Sequence, residues 1–424
     1  MRRPLSLESI QSAVTACAVL VLTAFVMAGE SAAAPATDPN ETCLACHGDK
    51  DAKSASGKSI AVEGAAFAKS VHGEMKLECT ACHTDVSAKT LPHAEKLKPV
   101  DCGSCHEKPV KEYVATVHGV ARKAGSVVAA TCVDCHGKHD ILKTSNPASR
   151  TNHANLEQTC AACHGNEALI RRANLPGGNI ASRYHDSIHG QAIANKTSTK
   201  DAAPTCTNCH GAHDMRAKTD PASRVTRANI PGTCGSCHMN VKAAWEKSHH
   251  GQLRQVNVLQ APGCTDCHSA HDIKQHNAPE WVLAVVQQCG SCHNDYIASY
   301  RDTFHGQVNE LGYTQVATCA SCHGSHEILP ASNPVSKVSA QNRLATCRTC
   351  HPKANVNFAL YDPHANRHRR DGGELLFFTG KFMDFLLIGV FGFFGAHTGL
   401  WFFRSWKVTR ERRAKTKDSG HKEN

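Results

Sequence analysis

The chain has 424 residues, of which 23 are cysteine, 41% are hydrophobic and only 5% are aromatic, and it carries a formal charge of +10. So few aromatics leave a chain of this length short of a conventional core. The basic excess does not read as a nucleic-acid face, because residues 404–424 hold eight basic and three acidic side chains, +5 of the total.

Arg2 and Arg3 precede a mostly apolar run over 13–28, and Ala32 to Ala36 offer small-residue cleavage sites. That is the pattern of a secretory signal peptide over 1–34. A retained membrane helix is the alternative, for which the run is short. Cys17 lies too early in it to be a lipoprotein cysteine. The mature chain is expected outside the cytoplasm, where unprotected thiols pair.

The remaining 22 cysteines fall in eleven copies of C-x-x-C-H. The pairs are Cys43 and Cys46, Cys79 and Cys82, Cys102 and Cys105, Cys132 and Cys135, Cys160 and Cys163, Cys206 and Cys209, Cys234 and Cys237, Cys264 and Cys267, Cys289 and Cys292, Cys319 and Cys322, and Cys347 and Cys350. The two-residue gap puts both thiols on one side of a turn, where they can add to the two vinyl groups of one haem. The next residue is then the proximal iron ligand: His47, His83, His106, His136, His164, His210, His238, His268, His293, His323 and His351. Adjacent-pair disulfides would not explain a histidine after every second cysteine. Zinc bound by paired C-x-x-C motifs belongs to small intracellular modules. Eleven covalent c-type haems would also supply the apolar surface that the side chains lack. Their propionates offset the basic charge by about one unit per ferric haem.

The motifs are ordered. Five histidines stand in [ST]-x-H-G, namely His72, His118, His189, His250 and His305, each five residues after an aromatic (Phe67, Tyr113, Tyr184, Trp245, Tyr300). That aromatic reads as a packing residue on a short helix. Each H-G is followed by two C-x-x-C-H motifs. A proline recurs eleven residues after the first motif histidine, at Pro147, Pro221, Pro279 and Pro334, and marks a turn between helical pieces. A single-haem segment over 35–78 is thus followed by five two-haem repeats within 79–365. Repetition of this kind implies units that pack mainly on their neighbours. The expected fold is mostly irregular and α, organised serially by its haems, with short helices and one C-terminal transmembrane helix.

Eighteen further histidines are available for the opposite faces of eleven irons. His139, His213, His271 and His326 each lie three residues after a proximal histidine, too close to reach the far face of their own haem, and are expected to ligate an adjacent one. An acid follows each (Asp140, Asp214, Asp272, Glu327), either orienting the ligand or lying on a solvated face. The five H-G histidines are the other distal set, their glycine letting the backbone approach a flat ring. His93 and His364 are the candidates for the last two irons, with His153, His185, His276 and His368 as rivals. Methionine is scarce, so all-histidine ligation and low potentials are expected.

Residues 366–384 form a juxtamembrane segment. The nineteen residues 385–403, FLLIGVFGFFGAHTGLWFF, are apolar apart from His397 and Thr398. At about 1.5 Å each they span about 28 Å, close to a hydrocarbon core. Trp401 and Trp406 suit an interface, and Arg404, Lys407, Arg410, Arg412 and Arg413 begin a basic tail over 404–424 that should stay cytoplasmic. The haem domain would then face the periplasm from the inner membrane in a single pass. His397, ionisable and inside the span, is either a ligand to a haem b shared with a partner subunit or a histidine hydrogen-bonded to a neighbouring helix.

The doubled motif pairs over 43–351 resemble the membrane-anchored multihaem c-type cytochromes of anaerobically respiring bacteria. The stretch from HPKANVNFALYDPHA to GVFGFFGAHTGLWFFRS is similar to the junction joining such a haem domain to a b-type quinol-oxidising membrane cytochrome. Fused proteins of that group carry several spans and this chain one, so a separate subunit would supply the rest. The resemblance implies a fold organised by haem stacking. It also implies electron transfer between a membrane b-type cytochrome or quinol-oxidising partner and periplasmic or outer-membrane cytochromes. A competing class is a multihaem reductase of the nitrite, hydroxylamine or tetrathionate type. That would need one iron with an open distal position, and the C-x-x-C-K motif found in part of that class is absent. An electron carrier without a catalytic residue is the favoured expectation.

Overall fold

The structure is a computed structural model that describes residues 40–419 apart from 88, 196–202, 259 and 371–372. The signal peptide expected over 1–34, with Cys17, therefore lies outside the described residues. Among the described residues there is no strand, only an isolated bridge between Lys53 and Ser59. The fold is a succession of short helices closed by one long apolar helix.

The short helices begin where a side-chain oxygen can take an orphan N–H. In [ST]-x-H-G the first residue is the N-cap: Ser70, Ser187, Ser248 and Thr303 accept from the N–H of Gly73, Gly190, Gly251 and Gly306. The glycine also has a local purpose. A Cβ at Gly73, Gly119, Gly190, Gly251 or Gly306 would overlap the carbonyl oxygen of Phe67, Tyr113, Tyr184, Trp245 or Tyr300. Glycine therefore allows the ligand-bearing helix to turn tightly onto the helix before it. The aromatic of the same motif packs and ties: the Tyr113, Tyr184 and Tyr300 hydroxyls donate to the carbonyls of Ala130, Pro204 and Ala317 at 2.7, 2.8 and 2.9 Å. Each acceptor lies two residues before a motif cysteine.

The chain divides into two compact units. The first holds residues 1–114 and 118–155, and the Val71 N–H there donates to the Ile141 carbonyl at 2.8 Å. The second holds 115–117 and 156–424. In it the same bond recurs from Val117 to Met215, Ile188 to Ile273 and His249 to Ile328, at 2.8 to 2.9 Å. Each joins an H-G helix to the segment two residues beyond a three-on histidine of the following repeat.

The proline-containing connections are wound into clamped loops. The buried Ser149, Ser223 and Ser336 donate to the carbonyls of Leu142, Arg216 and Leu329. Asn155, Asn229 and Asn342 donate back to Pro147, Pro221 and Pro334 at 2.8 to 2.9 Å. The fourth repeat departs from this: Pro279 opens a twelve-residue helix, Pro279–Gly290, at the position where a missing N–H costs nothing.

Hydrocarbon contributes little to the interior. The buried apolar side chains among the described residues are Ile170, Ala203, Ala261, Val286, Tyr300 and Ala354, and the most deeply buried side chains are serines and threonines. Six such residues cannot offset the entropy of ordering the chain. Another apolar component has to fill the space between helices.

The last helix, Glu374–Ser419, is 46 residues long and starts eleven residues before the apolar core read from sequence. Leu375, Leu376, Phe377, Phe378, Phe382 and Met383 extend the apolar surface, and the Lys- and Arg-rich end is made of good helix formers. Its apolar residues are exposed, Phe385 at 78%, and it is long and apolar enough to cross a membrane. Its base is tied down locally: Arg370 pairs with Glu374 at 3.1 Å and lies over the Phe378 ring.

Candidate haem-binding sites

The first motif of a repeat is a five-residue helix, as in Cys132–His136, Cys206–His210, Cys264–His268 and Cys319–His323. The side chains of Asp134, Asn208, Asp266 and Ser321 reach back to the N–H of the residue before the first cysteine. This fixes one turn with both thiols on one side and leaves the histidine at its end. The chain then exits through the left-handed region at Gly137, Gly211 and Gly324 (φ 91°, 83° and 85°) and, against preference, at Ser269 (φ 59°). The second motifs sit at the ends of longer helices such as Leu156–His164 and Pro279–Gly290.

The two thiols of a motif are not the even pair that the sequence suggests. The first cysteine of every motif is half-buried, whereas the second is exposed at Cys46, Cys82, Cys105, Cys237, Cys292 and Cys350. Cys135 and Cys163 are half-buried, as are Cys209, Cys267 and Cys322. At four of the exposed positions the preceding residue carries a hydroxyl that donates to the carbonyl three residues back: Ser104 to Asp101, Ser236 to Thr233, Ser291 to Gln288 and Thr349 to Thr346, at 2.7 to 2.8 Å. The same oxygens lie 3.8 to 4.0 Å from the Sγ of Cys105, Cys237, Cys292 and Cys350.

The histidines come together in facing pairs. In the first unit His47 faces His93 at 5.8 Å between ring centroids, His83 faces His139 at 6.3 Å, and His106 faces His72 at 6.1 Å. In the second unit His210 faces His271 (5.8 Å), His238 faces His189 (6.2 Å) and His268 faces His326 (5.9 Å). There too His293 faces His250 (6.2 Å), His323 faces His364 (6.1 Å) and His351 faces His305 (6.0 Å).

The pairing has a rule. In the first, third, fourth and fifth repeats the second motif is faced by its own H-G histidine. In the same repeats the first motif is faced by a histidine from beyond the repeat: the next three-on histidine, or His364 at the end. The lead motif takes His93. His136 and His164 end their motif helices, and His118 and His213 stand at the two distal registers.

The rivals are elsewhere. His185 pairs with Glu157 at 2.8 Å and His368 with Arg367 at 3.3 Å. The acid after the three-on histidine pairs with a cation. Asp140, Asp214 and Glu327 pair with Arg150, Arg224 and Lys337, ten residues on, at 3.5, 3.1 and 3.2 Å, and Asp272 with Lys274 at 2.7 Å. These pairs are about half exposed and add little stability.

A gap near 6 Å is too wide for ring-on-ring stacking. It matches two imidazole–metal bonds of about 2 Å in line plus a ring radius of about 1.1 Å at each end. Among the described residues no cluster of three or more His, Cys, Asp or Glu could hold a metal ion. An ion between two opposed imidazoles must therefore bring its own equatorial donors, and a macrocycle tethered by the adjacent thiols does that. The flat gap, two thiols beside it and a scarcity of apolar side chains all fit a covalently bound haem. Comparison with known proteins agrees. Residues 123–279 match the model described as outer membrane cytochrome MtrC/MtrF-like, domains II/IV. The chain is also 26% identical over 152 residues to the cytochrome c-type protein NrfB of Escherichia coli O6:H1, covering 33% of this chain and 76% of that protein. No solved structure matches.

The site geometry and both matches support a multihaem c-type cytochrome.

The electrostatics of the site favour ligation. Burial holds the imidazoles of His139, His164, His189, His210, His250, His268, His271, His305, His323 and His364 below their ordinary range, so they stay neutral with a lone pair to give. His47 Nδ1 lies 2.9 Å from the Ile60 carbonyl, which leaves Nε2 for a metal. The first thiols of neighbouring motifs also adjoin one another. Across repeat boundaries Cys102 lies within hydrogen-bonding reach of Cys132, Cys160 of Cys206, Cys234 of Cys264, and Cys289 of Cys319. Consecutive attachment points are therefore close together, a relation with no signal in motif spacing. Spacing likewise did not reveal the rings on the ligands: Trp281 stacks on His268 (4.8 Å, 7°) and Phe358 lies against His351 (5.0 Å).

Proposed function

We propose that this cytochrome is an electron carrier of eleven covalently bound haems, each held between two histidines, and that it moves electrons between a membrane partner and periplasmic or outer-membrane acceptors in anaerobic respiration. Haem bound at these sites supplies one-electron redox chemistry. The chain supplies the rest: thiols that anchor, imidazoles that close both faces, and repeat contacts that fix the distance between anchors. The observation that carries the reading is the set of nine facing histidine pairs. His118 and His213 occupy the same registers and take the same role, which completes 22 iron ligands for eleven irons and leaves no open position of the kind a reductase needs.

The 385–403 segment is the single span in the inner membrane. Its basic flank at 404–413 is cytoplasmic, and the haem domain is periplasmic after removal of 1–34. The partner in the membrane is a b-type or quinol-oxidising subunit, with His397 as a ligand to a shared haem b. The end of the array anchored by Cys347 and Cys350 exchanges electrons with that partner, and the end anchored by Cys43 and Cys46 with soluble or outer-membrane cytochromes.

Low-temperature magnetic resonance of the oxidised full chain tests the central claim. Low-spin signals should account for all eleven irons counted by mass spectrometry. A high-spin ferric signal, or nitric oxide binding to the reduced protein, would instead assign the chain to the reductases. A purified complex lacking any b-type spectrum would remove the role of His397.

A further inference from the structure

The haem on Cys319 and Cys322 has no following repeat to complete it, and its facing histidine comes from the linker that leads into the membrane helix. His364 is held there by one helix, Asn294–Asp302. Three of its side chains grip the linker. Asp295 pairs with Arg369 at 2.9 Å, the Tyr296 ring meets His364 edge-on at 4.9 Å, and Ser299 Oγ lies 3.3 Å from His364 Nδ1. Ser299 is only 2% exposed, so water does not compete for that contact.

The hydroxyl has one proton, and it is donated to the Tyr296 carbonyl at 3.1 Å. Towards His364 the oxygen can therefore only accept. It takes the proton on Nδ1, and that tautomer leaves the Nε2 lone pair facing His323, 6.1 Å away between centroids. A backbone bond from the His364 N–H to Asp362 Oδ1 at 2.9 Å fixes the turn that carries the ring.

The register supports a particular role for this position. Ser299 directly precedes Tyr300, the aromatic of its H-G motif, and Ala66, Glu112, Arg183 and Ala244 stand at the same place in the other repeats. In the third repeat that residue, Arg183, is near enough to His271 to act on it electrostatically. In the last repeat the same place carries a buried hydroxyl.

We infer that Ser299 is a positioning residue that fixes the tautomer and orientation of His364 as the second axial ligand of the haem on Cys319 and Cys322. With the Asp295–Arg369 pair, it ties completion of that haem to the juxtamembrane linker. The inference rests on the proposed reading of His364 as a ligand.

The test uses full-length, haem-loaded protein. Ser299→Ala should keep eleven haems by mass. One iron should leave the wild-type low-spin envelope, either through shifted g values or as a high-spin fraction, and the reduced form should bind nitric oxide at up to one site per chain. Ser299→Thr, which keeps the acceptor oxygen, should restore the wild-type spectrum. His364→Ala should free the same single iron completely. If Ser299→Ala superimposes on wild type while His364→Ala frees one iron, Ser299 does not position the ligand. If His364→Ala frees no iron, the ligand assignment beneath the proposal is wrong.

Discussion

Replacing His271 by alanine separates ligation across repeats from ligation within a motif. His271 is three residues from the proximal His268, yet it faces His210 of the preceding repeat at 5.8 Å with the rings 2° from parallel, while His268 faces His326 at 5.9 Å. The variant therefore removes a ligand from the haem on Cys206 and Cys209 and leaves the haem of its own motif untouched. One iron in eleven, about 9% of the total, should become high-spin in the oxidised protein, and the reduced protein should bind about one nitric oxide per chain. Haem content by mass should not change, because no thiol is altered. Assignment to a particular haem comes from a double-mutant cycle. In a background lacking the haem on Cys206 and Cys209 (both changed to alanine) His271→Ala should be silent, and in one lacking the haem on Cys264 and Cys267 its effect should persist. The opposite pattern would show that His271 serves its own motif and would refute the pairing rule.

Gly211→Ala should lower the guanidinium stability of the loaded protein by about 1–2 kcal/mol, since φ is 83° there and a Cβ would overlap the Asp214 carboxylate. Ser269→Gly should do the reverse, by about 1 kcal/mol, because Ser269 adopts φ 59° with a buried, unpartnered hydroxyl; an unchanged midpoint in either case contradicts the strain argument. Tyr184→Phe should cost about 1–2 kcal/mol through the lost bond to the Pro204 carbonyl, with spin state unaffected. Burial depresses the pKa of His189, His210, His268 and His323 below 6.5. Between the ordinary and the depressed values the unfolded chain binds more protons than the folded one, so stability should fall as pH drops below about 6.5 and level off above it. Denaturation midpoints at pH 5.5 and 7.5 check the sign.

The one-turn C-x-x-C-H helices, the [ST]-x-H-G helices and the apolar C-terminal helix could all be read from sequence, because each is decided within a turn or two of backbone. Ser187 caps its helix and Cys206 to His210 make one turn through contacts three or four residues apart. Partner choice is different in kind. His271 meets His210 61 residues upstream, and His364 meets His323 from a linker outside any motif. Spacing could nominate both histidines and could not match them to irons, since only the docking of one repeat on the next brings them face to face. The same docking half-buries Cys234 and leaves Cys237 exposed, a difference that two identical letters in one motif do not carry. Local hydrogen bonding writes the motifs into the sequence, whereas the second imidazole at each of these sites is set by contacts that exist only once the chain has folded.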